Sequence, residues 1–204
     1  MAWNHLFIID PIENLHPKLD SSIRMMFSLF ERKHNIFFTK INDIFLETSF
    51  NSSKKSISRG ADCFQIFFSE NATYENPAFT ISGSKSYDLN FFNGIHMRKD
   101  PPFDINYIST TWLIDNLRKE TKIYNQPEAL RNSNEKLLIG SFPEFIAPFI
   151  ASSNPEKILP FIRQHSDVIL KPLHLFGGRG IKRIISNQYN DKQLLDLLTH
   201  EMLG

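Results

Sequence analysis

Cysteine and net charge are both nearly absent from this chain. Its 204 residues include one cysteine, Cys63, and its formal net charge is +1 at pH 7. A single cysteine excludes an internal disulfide and a metal site built from several thiolates, and it is typical of a reducing compartment. So small a net charge creates no strong electrostatic field. We therefore expect neither nucleic acid nor a membrane surface as a partner.

Long apolar runs are missing as well. No uninterrupted apolar stretch approaches the roughly 18 residues that a transmembrane helix requires. The N-terminus "MAWNHLFIIDPIEN" becomes acidic too early for a signal peptide. We therefore expect a soluble, cytoplasmic protein. Glycine is also scarce, with 8 glycines against 19 phenylalanines, which indicates a well-filled aromatic core.

Strands and helices alternate in the first part of the chain. Residues 5–10 form an apolar run that ends at Asp-Pro, and residues 36–41 form a second run. Between them lies a predicted helix, capped by Asp20 or Ser21, whose apolar stripe comprises Ile23, Met26, Phe27 and Phe30. This order predicts a βαβ unit. Further strands are predicted at residues 62–68, 77–82, 94–99 and 121–125.

Two segments in this part carry more specific predictions. Residues 47–62, "ETSFNSSKKSISRGAD", are rich in serine, lysine and asparagine, which favours a surface loop. Asp104 is placed to cap a helix whose single apolar face carries Ile105, Ile108 and Trp112. Residues 1–122 are therefore predicted to form a doubly wound, Rossmann-like α/β domain with a largely parallel sheet. In such sheets ligands bind at the carboxyl ends of the strands, where "IIDPIEN" and "MRKDPP" both lie.

The remainder, residues 123–204, is predicted to be a separate α+β region. A helical segment beginning near Pro127 is followed by residues 143–152, which resemble a strand interrupted by Pro148. Residues 154–165 predict a helix, and residues 166–186 predict two strands joined by a glycine-containing loop. A final amphipathic helix is predicted over 190–204.

The segment "MRKDPPFD", residues 97–104, places several charges on a turn stiffened by two prolines. Proline fixes its own φ and forces the preceding residue into an extended conformation. A solvated turn that ends a strand and caps the next helix would explain this pattern. A binding site whose charged side chains are held by a stiff backbone would explain it equally well.

The glycine loop also permits two interpretations. Gly177, Gly178 and Gly180 link two predicted strands, and neither the Walker A nor the dinucleotide pattern is present. A hairpin in which glycines supply positive φ is the simpler explanation. The alternative is a flap whose backbone amides close over phosphates, with Lys171 on the preceding strand directing a cation at them. Lys136 could be a second cation in the same cleft, or an ordinary solvated helix lysine.

Five motifs, taken together and in order, resemble bacterial glutathione synthetase, an ATP-grasp ligase. They are "DP-I" after the first strand, "DSS" at the first helix, "MRKDPPFD", "N-P-LR--NEKL" and "HSD-ILKPL---GG". The resemblance extends from about residue 5 to residue 185, and "MRKDPPFD" and "NEKL" are its most specific parts. It implies an N-terminal pre-ATP-grasp domain at residues 1–122 and the first part of an ATP-grasp domain at residues 123–204.

The resemblance also implies an activity. Members of the family join γ-glutamylcysteine to glycine with ATP and Mg²⁺, through an acyl phosphate. Arg98 would hold a substrate carboxylate as a catalytic group, and Asp20, Ser21 and Ser22 would help to bind the dipeptide. Lys136 and Lys171 would contact phosphates of ATP. The loop over these phosphates would comprise Gly177, Gly178, Arg179 and Gly180.

Two departures from the family pattern affect these expectations. The flap reads His174-Leu175-Phe176-Gly177-Gly178-Arg179-Gly180, with more bulk and an extra cation than the usual Asp-Gly-x-Gly-Gly. Family members also continue for roughly a hundred residues that carry the Mg²⁺ ligands, so the chain resembles the N-terminal two-thirds of the enzyme. On this basis the isolated chain is expected to be inactive. The alternatives are a split ligase completed by a C-terminal half in trans, and a non-catalytic remnant that binds a peptide or another partner. The resemblance also makes a homo-oligomer a candidate assembly.

Overall fold

The computed structural model describes residues 1–51, 54–115 and 117–203. The chain divides into two compact units, Met1–Asn132 and Ser133–Gly204. This division lies further along the chain than the predicted boundary after residue 122. The reason is that the strand beginning at Lys122 pairs within the sheet of the first unit, and the helix beginning at Pro127 packs there too.

The first unit contains eight strands and three α-helices among its described residues. The strands are β1 (Asn4–Ile8), β2 (Asn35–Thr39), β3 (Ile44–Asn51), β4 (Lys54–Phe68), β5 (Phe79–Ile81), β6 (Lys85–Asp88), β7 (Gly94–Met97) and β8 (Lys122–Tyr124). The helices are α1 (Ser21–Glu31), α2 (Ile105–Leu113) and α3 (Pro127–Asn132). Short 3-10 turns occur at Ile12–Asn14, Ile41–Asp43 and Leu89–Phe91.

One sheet runs through this unit in the order β3-β4-β2-β1-β7-β8, with β5 and β6 also paired to β4. Strands β2, β1, β7 and β8 are mutually parallel, whereas every pairing that β4 makes is antiparallel. Apolar residues alternate between its two faces. One face packs against α1 through Ile23, Met26 and Phe27, and the other contacts Tyr107 of α2. The predicted doubly wound α/β domain with a parallel core is therefore confirmed.

Asp20 determines where α1 begins. Its Oδ1 accepts hydrogen bonds from the backbone N–H groups of Ser22, at 2.7 Å, and Ile23, at 3.1 Å. These donors would otherwise lack partners in the first turn of the helix. The predicted apolar stripe follows directly, because Ile23, Met26 and Phe27 are buried against the sheet.

The predicted surface loop at residues 47–62 is wrong over its described residues. They belong to β3 and β4, which pair antiparallel from Ile44–Ala61 outward to Asn51–Lys54. The paired residues Thr48 and Ile57 are both exposed, so this pair buries no apolar side chain. A polar sequence can therefore form strands here without the alternation that identifies a half-buried strand. Residues 52 and 53 of the predicted loop lie outside the described residues.

Helix α2 begins after Asp104 as predicted, since the Asp104 carboxylate accepts from the Tyr107 N–H at 2.9 Å. Its predicted apolar face does not pack on the core, because Ile105 is 64% exposed and Trp112 is 54% exposed. The buried face instead carries Tyr107, Thr110 and Thr111. The threonine hydroxyls donate to backbone carbonyls of their own helix, at 2.9 Å and 2.6 Å. Threonine can be buried there because its hydroxyl already has a hydrogen-bond partner.

The second unit contains α4 (Pro155–His165), β9 (Asp167–Leu170), β10 (Lys182–Ile185) and α5 (Asp191–Leu203). Strands β9 and β10 pair antiparallel, and the two helices pack on them through a small core of Ile158, Ile162, Ile184, Leu194 and Leu198. Short 3-10 turns occur at Leu138–Ser141, Pro143–Phe145 and Ser186–Gln188.

The interrupted strand predicted at residues 143–152 is wrong. Pro143–Phe145 form a 3-10 turn, and the described residues that follow, as far as 152, join no sheet. Pro143 and Pro148 have no N–H to donate to a ladder. The helices and the two strands predicted after this segment are confirmed. Across all the described residues, no helix combines the length and apolar character needed to cross a membrane.

Candidate functional site

The first candidate site lies at the carboxyl ends of β1 and β7. The Arg98 N–H donates to the Ile8 carbonyl at 2.8 Å and so extends the parallel pairing of these strands by one residue. The N-terminus of α1 lies at the same end of the sheet, because this helix follows β1 in a βαβ unit whose two strands are parallel. The predicted site residues of the first unit therefore meet in one place.

The Arg98 guanidinium reaches the first two residues of α1. Its Nη2 donates to the Ser21 hydroxyl at 2.7 Å, and its Nε donates to the Ser22 hydroxyl at 3.3 Å. Among the residues that the structure describes, no carboxylate pairs with Arg98. A guanidinium has further N–H donors beyond these two. Arg98 is thus a fixed cation with donors still available to an anion.

Asp20 caps α1 through one of its carboxylate oxygens. Its Oδ1 is occupied by the two backbone N–H groups of the α1 cap. The cap holds Ser21 and Ser22 at the start of the helix, where their hydroxyls meet Arg98. The structure therefore brings all four predicted residues together, with Asp20 shaping the helix end.

Two neighbouring acidic residues belong to the same edge. Asp10 pairs with the Lys99 ammonium, Oδ1 to Nζ, at 2.8 Å, and its Oδ2 accepts from the Asp100 N–H at 2.9 Å. Burial, together with the carboxylates of Asp10 and Asp20, raises the pKa of Asp100. No local pattern predicts a separate role for Asp10 or Lys99, although both lie in the motifs that resemble glutathione synthetase.

Two histidines lie on the sheet next to Arg98. His96 of β7 stacks on Phe7, with ring centroids 4.3 Å apart, and on Tyr124, at 5.2 Å. Its Nε2 lies 3.0 Å from Nδ1 of His5. Burial, with smaller effects of the His5 ring and the Arg98 cation, lowers the pKa of His96 to about 4. His96 therefore adds no charge beside Arg98 at neutral pH. Nothing in the local sequence pattern indicated this pair.

The second candidate site is a cavity of about 1020 Å³ within the second unit. Both predicted cations, Lys136 and Lys171, line it. Most of its remaining wall is apolar, formed by residues including Phe149, Ile150, Val168, Leu170 and Leu173. An apolar cavity with a few charged groups suits a ligand that combines a flat apolar part with an anionic part.

Lys136 is anchored within this unit, so it is no solvated helix lysine. Its Nζ donates to the carbonyls of Leu175, at 2.5 Å, and Leu173, at 3.3 Å. Asn134 fixes the turn that carries it, since its Oδ1 accepts from the Lys136 N–H at 2.9 Å. Lys136 thus ties this turn to the segment that leads into the glycine loop. Lys171, by contrast, is exposed.

The glycine loop joins β9 to β10, as the hairpin interpretation predicted. Gly177, Gly178 and Gly180 have φ of 60°, 78° and 68°, which other residues adopt only with strain. A Cβ on Gly177 or Gly178 would meet open space, so backbone conformation alone requires glycine at these two positions. The Arg179 guanidinium lies 5.0 Å from the Phe176 ring centroid. Residues 171–174 line the cavity, whereas these glycines are not among the described lining residues.

Side chains that could bind a metal ion are not clustered among the described residues. Within residues 1–51, 54–115 and 117–203, no group of three or more histidine, cysteine, aspartate or glutamate side chains is placed to hold a metal ion. We therefore assign no described residue to Mg²⁺ and no catalytic step to this ion.

Comparison with known protein families accounts for both units. Residues 3–131 match the family described as "Prokaryotic glutathione synthetase, N-terminal domain". Residues 135–203 match "Prokaryotic glutathione synthetase, ATP-grasp domain". The chain is thus an α/β protein with part of an ATP-grasp region. It belongs to the prokaryotic glutathione synthetase family, which confirms the resemblance found in the motifs.

Individual relatives agree with this assignment. The chain is 32% identical over 194 residues to "Glutathione synthetase" of Vibrio vulnificus strain YJ016, covering 95% of this chain and 58% of the relative. It is 34% identical to that of Vibrio parahaemolyticus, with the same coverage. It is 31% identical over 201 residues to that of Buchnera aphidicola subsp. Baizongia pistaciae, covering 98% and 59%. The chain thus spans less than two-thirds of the length of these curated relatives.

Proposed function

We propose that this chain supplies the peptide site and the phosphate-binding lysines of a glutathione synthetase, which joins γ-glutamylcysteine to glycine at the expense of ATP. The observation that carries the proposal is the position of Arg98. Its guanidinium is held by the hydroxyls of Ser21 and Ser22, and no described carboxylate forms an ion pair with it. Membership of the family supports the same conclusion.

Arg98 would bind a carboxylate of the dipeptide. A planar guanidinium forms two parallel hydrogen bonds with a carboxylate, and its charge does not depend on pH in the range where proteins are stable. The two serine hydroxyls fix one side of the guanidinium and leave other donors for the ligand. The α1 N-terminus, with its partial positive charge, also favours an anion at this edge.

Lys136 and Lys171 would hold phosphates of ATP. The exposed Lys171 would be the more direct phosphate ligand. The anchored Lys136 would place its charge beside the segment that leads into the loop of Gly177, Gly178, Arg179 and Gly180. The apolar cavity wall suits the adenine, and the loop would cover the phosphates. Arg179 adds a cation to that loop.

The proposed chemistry begins at the dipeptide carboxylate, which is a poor electrophile. One of its oxygens attacks the γ-phosphorus of ATP, so that ADP leaves and an acyl phosphate forms. The amine of glycine then attacks the acyl carbon and loses a proton, and inorganic phosphate leaves as the amide bond forms. The residues of this chain would contribute by binding and orienting the reactants and by balancing negative charge.

Isothermal titration of γ-glutamylcysteine into the chain tests the proposal. Charge-assisted hydrogen bonds contribute about 1.5–3 kcal/mol, so Arg98→Ala should weaken binding roughly ten- to hundredfold. Arg118→Ala is the matched control. Arg118 also donates to a hydroxyl, that of Thr121. It precedes β8 and so lies at the amino ends of the parallel strands, whereas Arg98 lies at their carboxyl ends.

A second ligand sharpens this test. The dipeptide with both carboxylates esterified should bind the unaltered chain as weakly as the free dipeptide binds Arg98→Ala. Equal affinity of the unaltered chain for the dipeptide and its diester would contradict the proposal, as would an Arg98→Ala variant that binds the dipeptide normally.

A further inference from the structure

The Asp10 side chain connects the ends of β1 and β7 beyond the last backbone pairing. The backbone ladder finishes where the Arg98 N–H meets the Ile8 carbonyl. Two residues further on, the Asp100 N–H donates to Oδ2 of Asp10 at 2.9 Å, where a backbone carbonyl would otherwise be needed. Asp10 therefore continues the connection between the strands with its carboxylate.

The same carboxylate also holds Lys99. Its Oδ1 lies 2.8 Å from the Lys99 Nζ, and the Lys99 side chain is only 15% exposed. Lys99 also donates to the Asp100 carbonyl at 2.5 Å. Lys99 is thus folded back on its own turn, and its charge is balanced. Arg98 is left as the cation that faces the serines of α1.

Arg98 is consequently fixed on both sides along the chain. Before it, β7 is part of the parallel sheet. After it, the Asp10 carboxylate binds the Lys99 ammonium and the Asp100 N–H. Pro101 and Pro102 restrict the backbone dihedral angles of the residues that follow. Ordering a long side chain costs free energy on binding unless the protein has already ordered it. A clamp on the turn reduces that cost.

We infer that Asp10 is a positioning residue: it clamps the turn at Lys99 and Asp100, and so holds the Arg98 guanidinium in the orientation that receives an anion. Asp10 acts through this turn, because its Oδ1 binds the Lys99 ammonium and its Oδ2 accepts from the Asp100 N–H. The part of this inference that concerns affinity rests on the proposed function, whereas the part that concerns the order of Arg98 does not.

The order of Arg98 is measured without a ligand, by the heteronuclear NOE of its Nε–H in the ¹⁵N-arginine-labelled chain. The Arg98 signal is the one missing from Arg98→Lys. It should be ordered in the unaltered chain and become mobile in Asp10→Ala. Asp10→Asn keeps an acceptor for the Asp100 N–H but loses the charge that holds Lys99, so it should be intermediate. An Arg98 signal in Asp10→Ala that is as ordered as in the unaltered chain would overturn the inference.

Asp115→Ala is the control for a general loss of stability. Asp115 pairs with Arg131 at 2.6 Å in the same unit, and its side chain is 30% exposed, close to the 26% of Asp10. Removing it should leave the Arg98 signal unchanged. Loss of Arg98 order in this variant as well would mean that any broken ion pair loosens the site, and would equally overturn a specific role for Asp10.

A double-mutant cycle tests the affinity. Asp10→Ala should weaken binding of γ-glutamylcysteine about five- to tenfold in the unaltered chain. The same substitution should cause no further loss in an Arg98→Ala background, because Asp10 acts through Arg98. A similar loss in both backgrounds would show that Asp10 contacts the ligand and would refute the inference. Failure of the unaltered chain to bind the dipeptide refutes the proposed function instead, and the NOE then decides the role of Asp10.

Discussion

The imidazoles of His5 and His96 lie side by side in two parallel strands, with Nδ1 of His5 3.0 Å from Nε2 of His96. Only one proton can occupy that contact, so one ring donates and the other accepts. Their outer nitrogens, Nε2 of His5 and Nδ1 of His96, are buried without a partner among the described residues. The pKa of both rings is lowered to about 4, mainly by burial, with a contribution from His34 for His5 and contributions from His5 and Arg98 for His96.

Stability should therefore fall in mild acid. The unfolded chain takes up protons on these histidines below about pH 6.5, whereas the folded chain excludes them until about pH 4. Their contribution is complete above pH 6.5 and decreases as the pH drops toward 4. Each histidine contributes at most about 1.4 kcal/mol per pH unit, over about 1.5 pH units below pH 6.5. For the two histidines together we therefore expect a loss of roughly 4 kcal/mol between pH 7 and pH 5. Urea unfolding, followed by tryptophan fluorescence, measures it, since both tryptophans lie in the first unit.

Replacing both histidines provides the control for this prediction. The double variant His5→Leu, His96→Leu should lose most of the pH dependence, because leucine does not titrate. The exposed His16 is the comparison, and His16→Leu should retain the full dependence. A double variant as acid-sensitive as the unaltered chain would assign the effect to other groups.

Cys63 should be unreactive in the folded chain. The side chain is buried, with 1% of the residue exposed. Burial raises the pKa of its thiol to about 12, and the carboxylates of Asp62 and Asp43 contribute. The thiolate is the nucleophile, so almost none of the reactive form exists at neutral pH. Ellman's reagent should therefore label the chain only at urea concentrations that unfold the first unit. Rapid labelling without urea would contradict the burial of this residue.

The elements that sequence analysis predicted correctly have local causes. Strand β1 is an apolar run ended by Asp10-Pro11, and α1 has both a capping aspartate and an apolar stripe. The errors have tertiary causes. The paired residues Thr48 and Ile57 of β3 and β4 are both exposed, and α2 buries threonines whose hydroxyls are satisfied within the helix.

The contacts at the candidate site can likewise be divided into those that the sequence pattern predicts and those that depend on tertiary structure. Arg98 and the serines of α1 could be expected to meet, because parallel strands bring their carboxyl ends and the next helix to one edge. The clamp by Asp10 depends on the reach of a side chain between two strand ends. The anchoring of Lys136 on Leu175 joins residues far apart in sequence. Neither contact has a local pattern that could predict it.

The two lysines of the second unit should respond differently to substitution. Lys136→Ala removes the donor from the Leu173 and Leu175 carbonyls, so amide hydrogen exchange should accelerate in the segment that leads into the glycine loop. Lys171→Ala removes an exposed cation and should leave this exchange unchanged. Both should weaken binding of ATP, measured by titration calorimetry. Lys157→Ala, an exposed lysine on α4, should change neither property.

Particular results would contradict this division of roles. Faster exchange in Lys171→Ala but not in Lys136→Ala would reverse the assignment of the anchoring lysine. Unchanged ATP affinity in both variants would remove the lysines from the proposed phosphate site.

Asp20 should affect stability and binding together, because one carboxylate oxygen organises the helix end that carries Ser21 and Ser22. Asp20→Ala leaves two backbone donors of α1 without their acceptor, which should lower the free energy of unfolding by about 1 kcal/mol. The displaced serines should also hold Arg98 less firmly, so dipeptide binding should weaken. Asn is as good a cap as Asp, and Asp20→Asn should therefore retain both stability and affinity. Urea unfolding and calorimetry measure the two effects. If Asp20→Asn keeps its stability but binds the dipeptide as poorly as Asp20→Ala, the carboxylate charge contacts the ligand, and the role of Asp20 as a cap alone is wrong.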